Sequence, residues 1–183
     1  TSNANIGDVI AKGCSQGVET YGLDGLTAGK ITAWDNTGCG VLLNQTKNST
    51  INYVDAYNCN YGGGYAGYRV ANNAGPNNYV GTVNSNHCGR GFFSVTSSNG
   101  TTINYLNAQN CSGHGALIEN AQNTKINSGW IYNNGAEGVR FSSTLSYGCK
   151  YNLIQGVNTN DGIRETSPCD YNTVKNCKLN GSG

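Results

Sequence analysis

The chain is short of charge. Lysine, arginine, aspartate and glutamate supply 11% of its 183 residues, and the formal net charge is +1. An ordinary globular domain carries about a quarter charged residues. So balanced a chain offers no broad basic field for nucleic acid or for an acidic membrane surface, although a local basic patch is compatible with it. No apolar run approaches the ~18 residues of a membrane-spanning helix, so neither nucleic acid nor membrane is expected as a partner. Methionine is absent and no signal peptide is legible, which implies a chain that begins after processing. There is no CxxC pair and there are only two histidines, so no zinc site is expected. Helical periodicity is missing as well.

Polarity comes instead from Asn, Gly, Ser and Thr. The length fits one domain, residues 1–183, with a core of its own. Eight cysteines and five N-x-S/T triplets, at Asn44, Asn48, Asn99, Asn110 and Asn180, point to a secreted, extracellular glycoprotein.

Self-similarity is the dominant signal. TINYVDAYNC (50–59), YVGTVNSNHC (79–88), TINYLNAQNC (102–111) and KINSGWIYNN (125–134) are variants of one pattern. An aliphatic residue recurs at Ile6, Ile31, Ile51, Val80, Ile103, Ile126, Ile154 and Val174, at intervals of 20 to 29 residues. Eight residues after the first six of these stand Cys14, Cys39, Cys59, Cys88, Cys111 and Asn134. A glycine then precedes a second apolar stretch, as in GVETY, GVLLN, GFFSV, GALIE and GVRFS. Fixed apolar columns at variable spacing mean that each repeat is one coil, with insertions confined to turns. No coil buries its inner face alone, so coils must stack. Short β-branched and aromatic runs bounded by Gly and Asn read as strands of about three to five residues. The predicted class is all-β, a parallel β-solenoid of about seven to eight coils with three short sheets.

Stacked coils lie about 4.8 Å apart, which brings equivalent cysteines within disulfide reach. Cys149 and Cys169 each precede a Tyr-Asn by two residues and form the expected disulfide. The Cys14, Cys39, Cys59, Cys88, Cys111 column is either partly cross-linked or a ladder of buried thiols. Cys177 aligns with Val54, Val83 and Leu106 as a core residue. No capping helix precedes Ile6, so the chain is expected to be the C-terminal part of a longer β-helix, or to have that end covered by a neighbouring chain.

Strand alternation sorts the stretch after the turn glycine into faces. Glu19, Leu42, Arg69, Phe93, Leu117, Arg140 and Arg164 form one outward column. Tyr21, Asn44, Ala71, Val95, Glu119, Ser142 and Thr166 form a second. Val18, Val41, Tyr68, Phe92, Ala116, Val139 and Ile163 point inward. Guanidinium groups suit carboxylates through bidentate bonds, and aromatic faces suit sugar rings. Glu19, Arg69, Arg90, Phe93 and Glu119 are therefore candidate substrate-binding residues, and NYGGGYAGY (60–68) reads as a flexible insertion rather than a loop over the groove.

The whole chain resembles the right-handed parallel β-helix of the pectin-lyase-like superfamily, which is the source of the expected handedness and of the reading of this face as a polysaccharide groove. Gly113-His114-Gly115 and the later Gly138-Val139-Arg140-Phe141 are similar to polygalacturonase motifs. The preceding coils, NYGGGYAGYRV and NHCGRGFFSV, lack the aspartates that family carries, and inverting hydrolysis needs two carboxyl groups. The YGLDG of residues 21–25, with GWIYNNGAEGVRF and GIRETSPCDYNTV, resembles mannuronan C-5 epimerases, whose Pro-His is missing here.

The resemblance implies a uronate-containing polysaccharide as substrate and β-elimination or C-5 epimerisation as reaction. A base removes the proton α to the carboxylate and a cation stabilises the developing charge. Tyr21, His114, Arg140 and Arg164 are the candidate catalytic residues, and His87 is a further proton-transfer candidate. No cofactor is demanded. Ca2+ is the cation such chemistry can use, but the acidic residues are scattered. The alternatives are a non-catalytic carbohydrate-binding or structural solenoid and a polygalacturonase-like hydrolase fragment.

Overall fold

A computed structural model describes residues 3–180, and no helix occurs among them. The chain is a parallel β-solenoid of about eight turns. Its sheets have twelve, seven and two strands. All registered pairs are parallel, and each joins equivalent segments of adjacent coils.

The solenoid form follows from how asparagine and glycine are distributed. Residues with positive φ fall at recurring register positions at the corners. Asp35, Asn58, His87, Asn110 and Asn133 share one corner, with φ between 51° and 56°. Gln45, Asn72, Thr96 and Asn120 share a second, and Asn48, Asn77, Asn123, Tyr151 and Tyr171 lie along a third. A left-handed conformation costs most residues about 1–2 kcal/mol, and asparagine and glycine tolerate it best. The corner amides also tie coils together: Asn58 Nδ2 donates to Asp35 Oδ1 at 2.9 Å, and Asn77 Nδ2 to Asn48 Oδ1 at 3.0 Å.

Glycine marks the entry to the seven-stranded sheet for a different reason. A Cβ on Gly115 would collide with Ile131 Cγ2 and lie 2.7 Å from Gly138 O. The next coil approaches the backbone closely there, and only a residue without a side chain fits.

The core runs the length of the axis. Ile51, Val54, Val80, Val83, Ile103 and Leu106 are fully buried. Each pair is three residues apart, so both members face inward only because the twelve-stranded sheet bends between them. Four strands, Leu26–Trp34, Thr50–Tyr57, Asn78–Asn86 and Thr101–Gln109, run through that bend. They are longer than the short strands expected, because ladder pairing continues across the corner.

The second coil departs from the expected register. Ala28, not Ile31, aligns with Ile51, and Ile31 pairs with Val54. The apolar pair Ala28 and Ile31 flanks the bend like every other pair, so the larger residue alone misleads. The shift moves Cys39 out of the cysteine column. Asn36 takes its place, donating from Nδ2 to Cys59 Sγ at 3.7 Å and accepting from the Cys14 amide at 2.8 Å. Cys39 packs with Ala66 and Leu42 on the outside of the seven-stranded sheet.

All eight cysteines are free thiols. Cys59, Cys88 and Cys111 form a buried ladder whose sulfurs meet the carbonyls of Ala33, Ala56 and Ser85. Cys149 and Cys169 stand in register on the two-stranded ladder, but the expected bond between them is not formed. Cys177 aligns with the Val157 position and packs partly buried against the core.

Candidate functional site

The seven-stranded sheet has the expected register throughout. Its strands Val18–Tyr21, Val41–Asn44, Ala66–Ala71, Arg90–Val95, Ala116–Glu119, Val139–Ser142 and Ile163–Glu165 stack in sequence order. Glu19, Leu42, Arg69, Phe93, Leu117, Arg140 and Arg164 form one column on its outer face. Arg69 and Arg164 are four coils apart, about 19 Å at the usual strand spacing.

A second column lies at the turn before the sheet. The pairing of Phe92 with Ala116 and of Ala116 with Val139 places Arg90, His114 and Glu137 on successive coils. Glu137 is the member that sequence reasoning missed. The signal was present: Glu137 precedes Val139 by two residues, as His114 precedes Ala116 and Arg90 precedes Phe92.

Glu137 gathers the cluster. Its Oε1 accepts from Arg164 Nη1 at 3.1 Å, and its Oε2 lies 3.8 Å from Arg140 Nη1 and 3.4 Å from His114 Nε2. Burial alone would raise this carboxyl, but its own backbone amide, Arg164, Arg140 and His114 together hold it below the usual range. His114 is pushed down to about 4, first by burial and then by Arg90 and Arg140, with Glu137 opposing. The imidazole is therefore neutral at pH 7, and both ring nitrogens are buried without a hydrogen-bond partner.

The arginines rest on an apolar floor. The Arg90 guanidinium lies 4.6 Å and that of Arg69 5.1 Å from the Phe93 ring centre. Phe93 is only 6% exposed, so it carries the guanidinium planes and offers no open face to a sugar ring. Leu42, Val95 and Leu117 complete this floor. Burial lowers the pKa of Arg90, an effect that Glu119 opposes and Arg69 reinforces. The Nε atoms of Arg69, Arg90 and Arg140 are buried without partners.

Residues 60–68, expected as a flexible insertion, are ordered: Ala66–Tyr68 belong to the strand Ala66–Ala71, and residues 60–65 are pinned across several coils. Asn60 Nδ2 donates to Thr37 O at 2.7 Å, and the Gly62 amide to Ser112 Oγ at 2.8 Å. Arg90 Nη1 bonds to Gly64 O, and Tyr65 lies under the Arg69 guanidinium.

The chain has no significant match among protein-family models, curated proteins or solved structures. The site is therefore described by its own chemistry. Along the face, four guanidinium groups (Arg69, Arg90, Arg140, Arg164) stand against three carboxylates (Glu19, Glu119, Glu137) with a neutral imidazole among them, an excess of one positive charge concentrated on the later coils. Such a surface attracts anions and supplies bidentate donors to carboxylates.

Two proton-transfer candidates stand apart from it. Tyr21 is 68% exposed on the first coil, four coils from His114, or about 19 Å along the axis. Glu19, its neighbour, accepts from Asn44 Nδ2 at 3.2 Å. His87 occupies a positive-φ corner and stacks on Tyr61 at 3.7 Å between ring centres. Among the described residues, no three or more His, Cys, Asp or Glu converge as a metal-ion site.

Proposed function

We propose that the chain is a secreted, polysaccharide-active β-solenoid that takes a uronate-containing chain along the outer face of the seven-stranded sheet. The observation that carries this reading is the shared column of Arg69, Arg140 and Arg164. Arginines on different faces would have had no common ligand. A polymer lying along the axis meets cations on several coils at once, and its carboxylates match guanidinium donors in charge and shape.

The chemistry proposed is β-elimination or C-5 epimerisation, with His114 as the base. Neutral at pH 7, the imidazole keeps an unpaired lone pair, and because both ring nitrogens are buried the docking sugar must displace covering side chains before that lone pair can accept the C5 proton. Arg90 and Arg140 are placed to neutralise the adjacent carboxylate as charge develops on it. In elimination the C4–O bond then breaks, the leaving chain takes a proton, and a C4=C5 double bond remains. In epimerisation a proton returns to C5 from the opposite face. A docked carboxylate would also screen the positive charges that depress His114 and so raise its basicity.

A second reading, a non-catalytic carbohydrate-binding module, is favoured by the separation of Tyr21 from the cluster, which leaves His114 without a partner for proton return. Hydrolysis fits less well, because Glu137 is held ionised by its arginines and a general acid must carry a proton. The test is incubation with polyuronides in D2O, with and without Ca2+. Elimination gives ultraviolet absorbance from the unsaturated uronate, and epimerisation gives deuterium at C5. Either signal should vanish in His114→Ala. Neither signal, with binding retained, would leave the binding module.

A further inference from the structure

A different face of the solenoid carries a second set of features, independent of the arginine column. The chain has two tryptophans, Trp34 and Trp130, and both lie on the outer face of the twelve-stranded sheet beyond its bend. They are 39% and 43% exposed, and Tyr57, paired in register with Trp34, is 50% exposed. A tryptophan left this open forfeits a large burial gain, so finding both on one strip of a small chain is informative.

The rings are ordered among themselves. Trp130 stacks on Tyr132 at 4.2 Å between centres and 18° between planes. Three coils earlier, Tyr57 borders the Tyr61–His87 stack, with His87 6.1 Å away. The two aromatic groups are about 14 Å apart along the axis at the usual coil spacing. A shallow depression lined by Asp35, Asn36, Thr37, Asn58, Asn60 and Tyr61 adjoins the first.

The surface between them is floored by amides. Asn84 Nδ2 donates to Asp55 Oδ1 at 2.8 Å, Asn107 Nδ2 to Asn84 Oδ1 at 2.8 Å, and Gln109 Nε2 to Asn107 Oδ1 at 2.7 Å. Each amide nitrogen in this ladder spends one hydrogen on its neighbour and keeps another to offer, in a fixed direction. The carboxylate that starts the ladder is matched by Lys30, at 3.0 Å from Asp55. The strip thus has aromatic platforms at both ends, oriented donors and acceptors between, and no unbalanced charge.

We infer that this strip binds a neutral, hydroxyl-rich polysaccharide lying along the solenoid axis. Sugar rings present C–H faces to the aromatic groups and hydroxyls to the amides. Guanidinium groups, which a uronate chain would call for, are absent from the ladder. The two faces would then hold different glycans, one neutral and one anionic, on a single rigid rod.

Both tryptophans report directly on the strip. Titration with soluble glucomannan, xylan and galactomannan, followed by intrinsic fluorescence and affinity electrophoresis, tests the inference. At least one neutral glycan should shift the emission and retard the protein. Trp130→Ala and Tyr57→Ala should each weaken that binding about fivefold or more while leaving the thermal midpoint nearly unchanged. Arg140→Ala should leave it intact, which separates this face from the arginine face. No retardation by any neutral glycan would overturn the inference, as would retardation unchanged in both aromatic variants. Concentration-dependent dimerisation abolished by Trp130→Ala, without glycan binding, would instead make the strip a self-association surface.

Discussion

His114 Nε2 lies 3.4 Å from Glu137 Oε2 on the next coil, and the imidazole is nevertheless held neutral. Burial disfavours its charged form, and Arg90 and Arg140 add to that, so one carboxylate does not restore it.

This relationship makes stability depend on pH. The folded-state value of about 4 lies below the ordinary 6.5, so the unfolded chain binds more protons between the two. The contribution is complete above about pH 6.5 and is lost as the pH falls towards 4, at most on the order of 3 kcal/mol. Urea denaturation of wild type and His114→Gln at pH 7 and pH 4.5 measures it. The wild type should lose more stability on acidification than the variant; equal losses would contradict the account.

Tyr68 is fully buried, stacked on Phe92 at 5.6 Å, and its hydroxyl has no partner. Tyr68→Phe removes an unsatisfied polar atom and keeps the ring. The variant should be more stable by about 1 kcal/mol, read from the denaturation midpoint.

Gly115 tests the packing of the coil against itself. A methyl group there meets Ile131 and the Gly138 carbonyl, neither of which has room to retreat. Gly115→Ala should destabilise by about 1–3 kcal/mol. Gly7, whose Cβ position is open, should tolerate alanine with little change in thermal midpoint.

Cys149 and Cys169 are in register with both thiols free. Burial raises both thiol pKa values, so the thiolate is scarce and oxidation slow. Prolonged treatment with oxidised glutathione should form one bond between them, with two protons and two electrons passing to the glutathione disulfide. Peptide mapping identifies the bond. The thermal midpoint should rise, and Cys169→Ser should abolish both effects.

The parts legible in the sequence were those where each coil repeats a marker. A glycine recurs just before the inward-facing residue that opens each strand of the seven-stranded sheet, and that marker puts Arg69, Phe93, Arg140 and Arg164 in one column. Register is not legible in the second coil, where Ala28 fills the position of a larger aliphatic residue and Ile31, three residues on, mimics it. Glu137 is marked only by its offset of two residues before Val139, because it sits in a turn without a motif of its own. Phe93 was rightly placed outward, but alternation does not reveal that arginines from neighbouring coils cover it. The exposed tryptophans carry no mark in the sequence, because they lie on strands whose other residues read as ordinary polar surface.

The most direct test of the account is the affinity for polygalacturonate and alginate at low and moderate salt, for wild type and for Arg140→Ala/Arg164→Ala. The account predicts binding by the wild type that weakens as salt rises, and a loss of tenfold or more in the double variant with the fold intact by circular dichroism. Wild-type binding that the double variant retains in full, or no binding to either polyuronide, would contradict it.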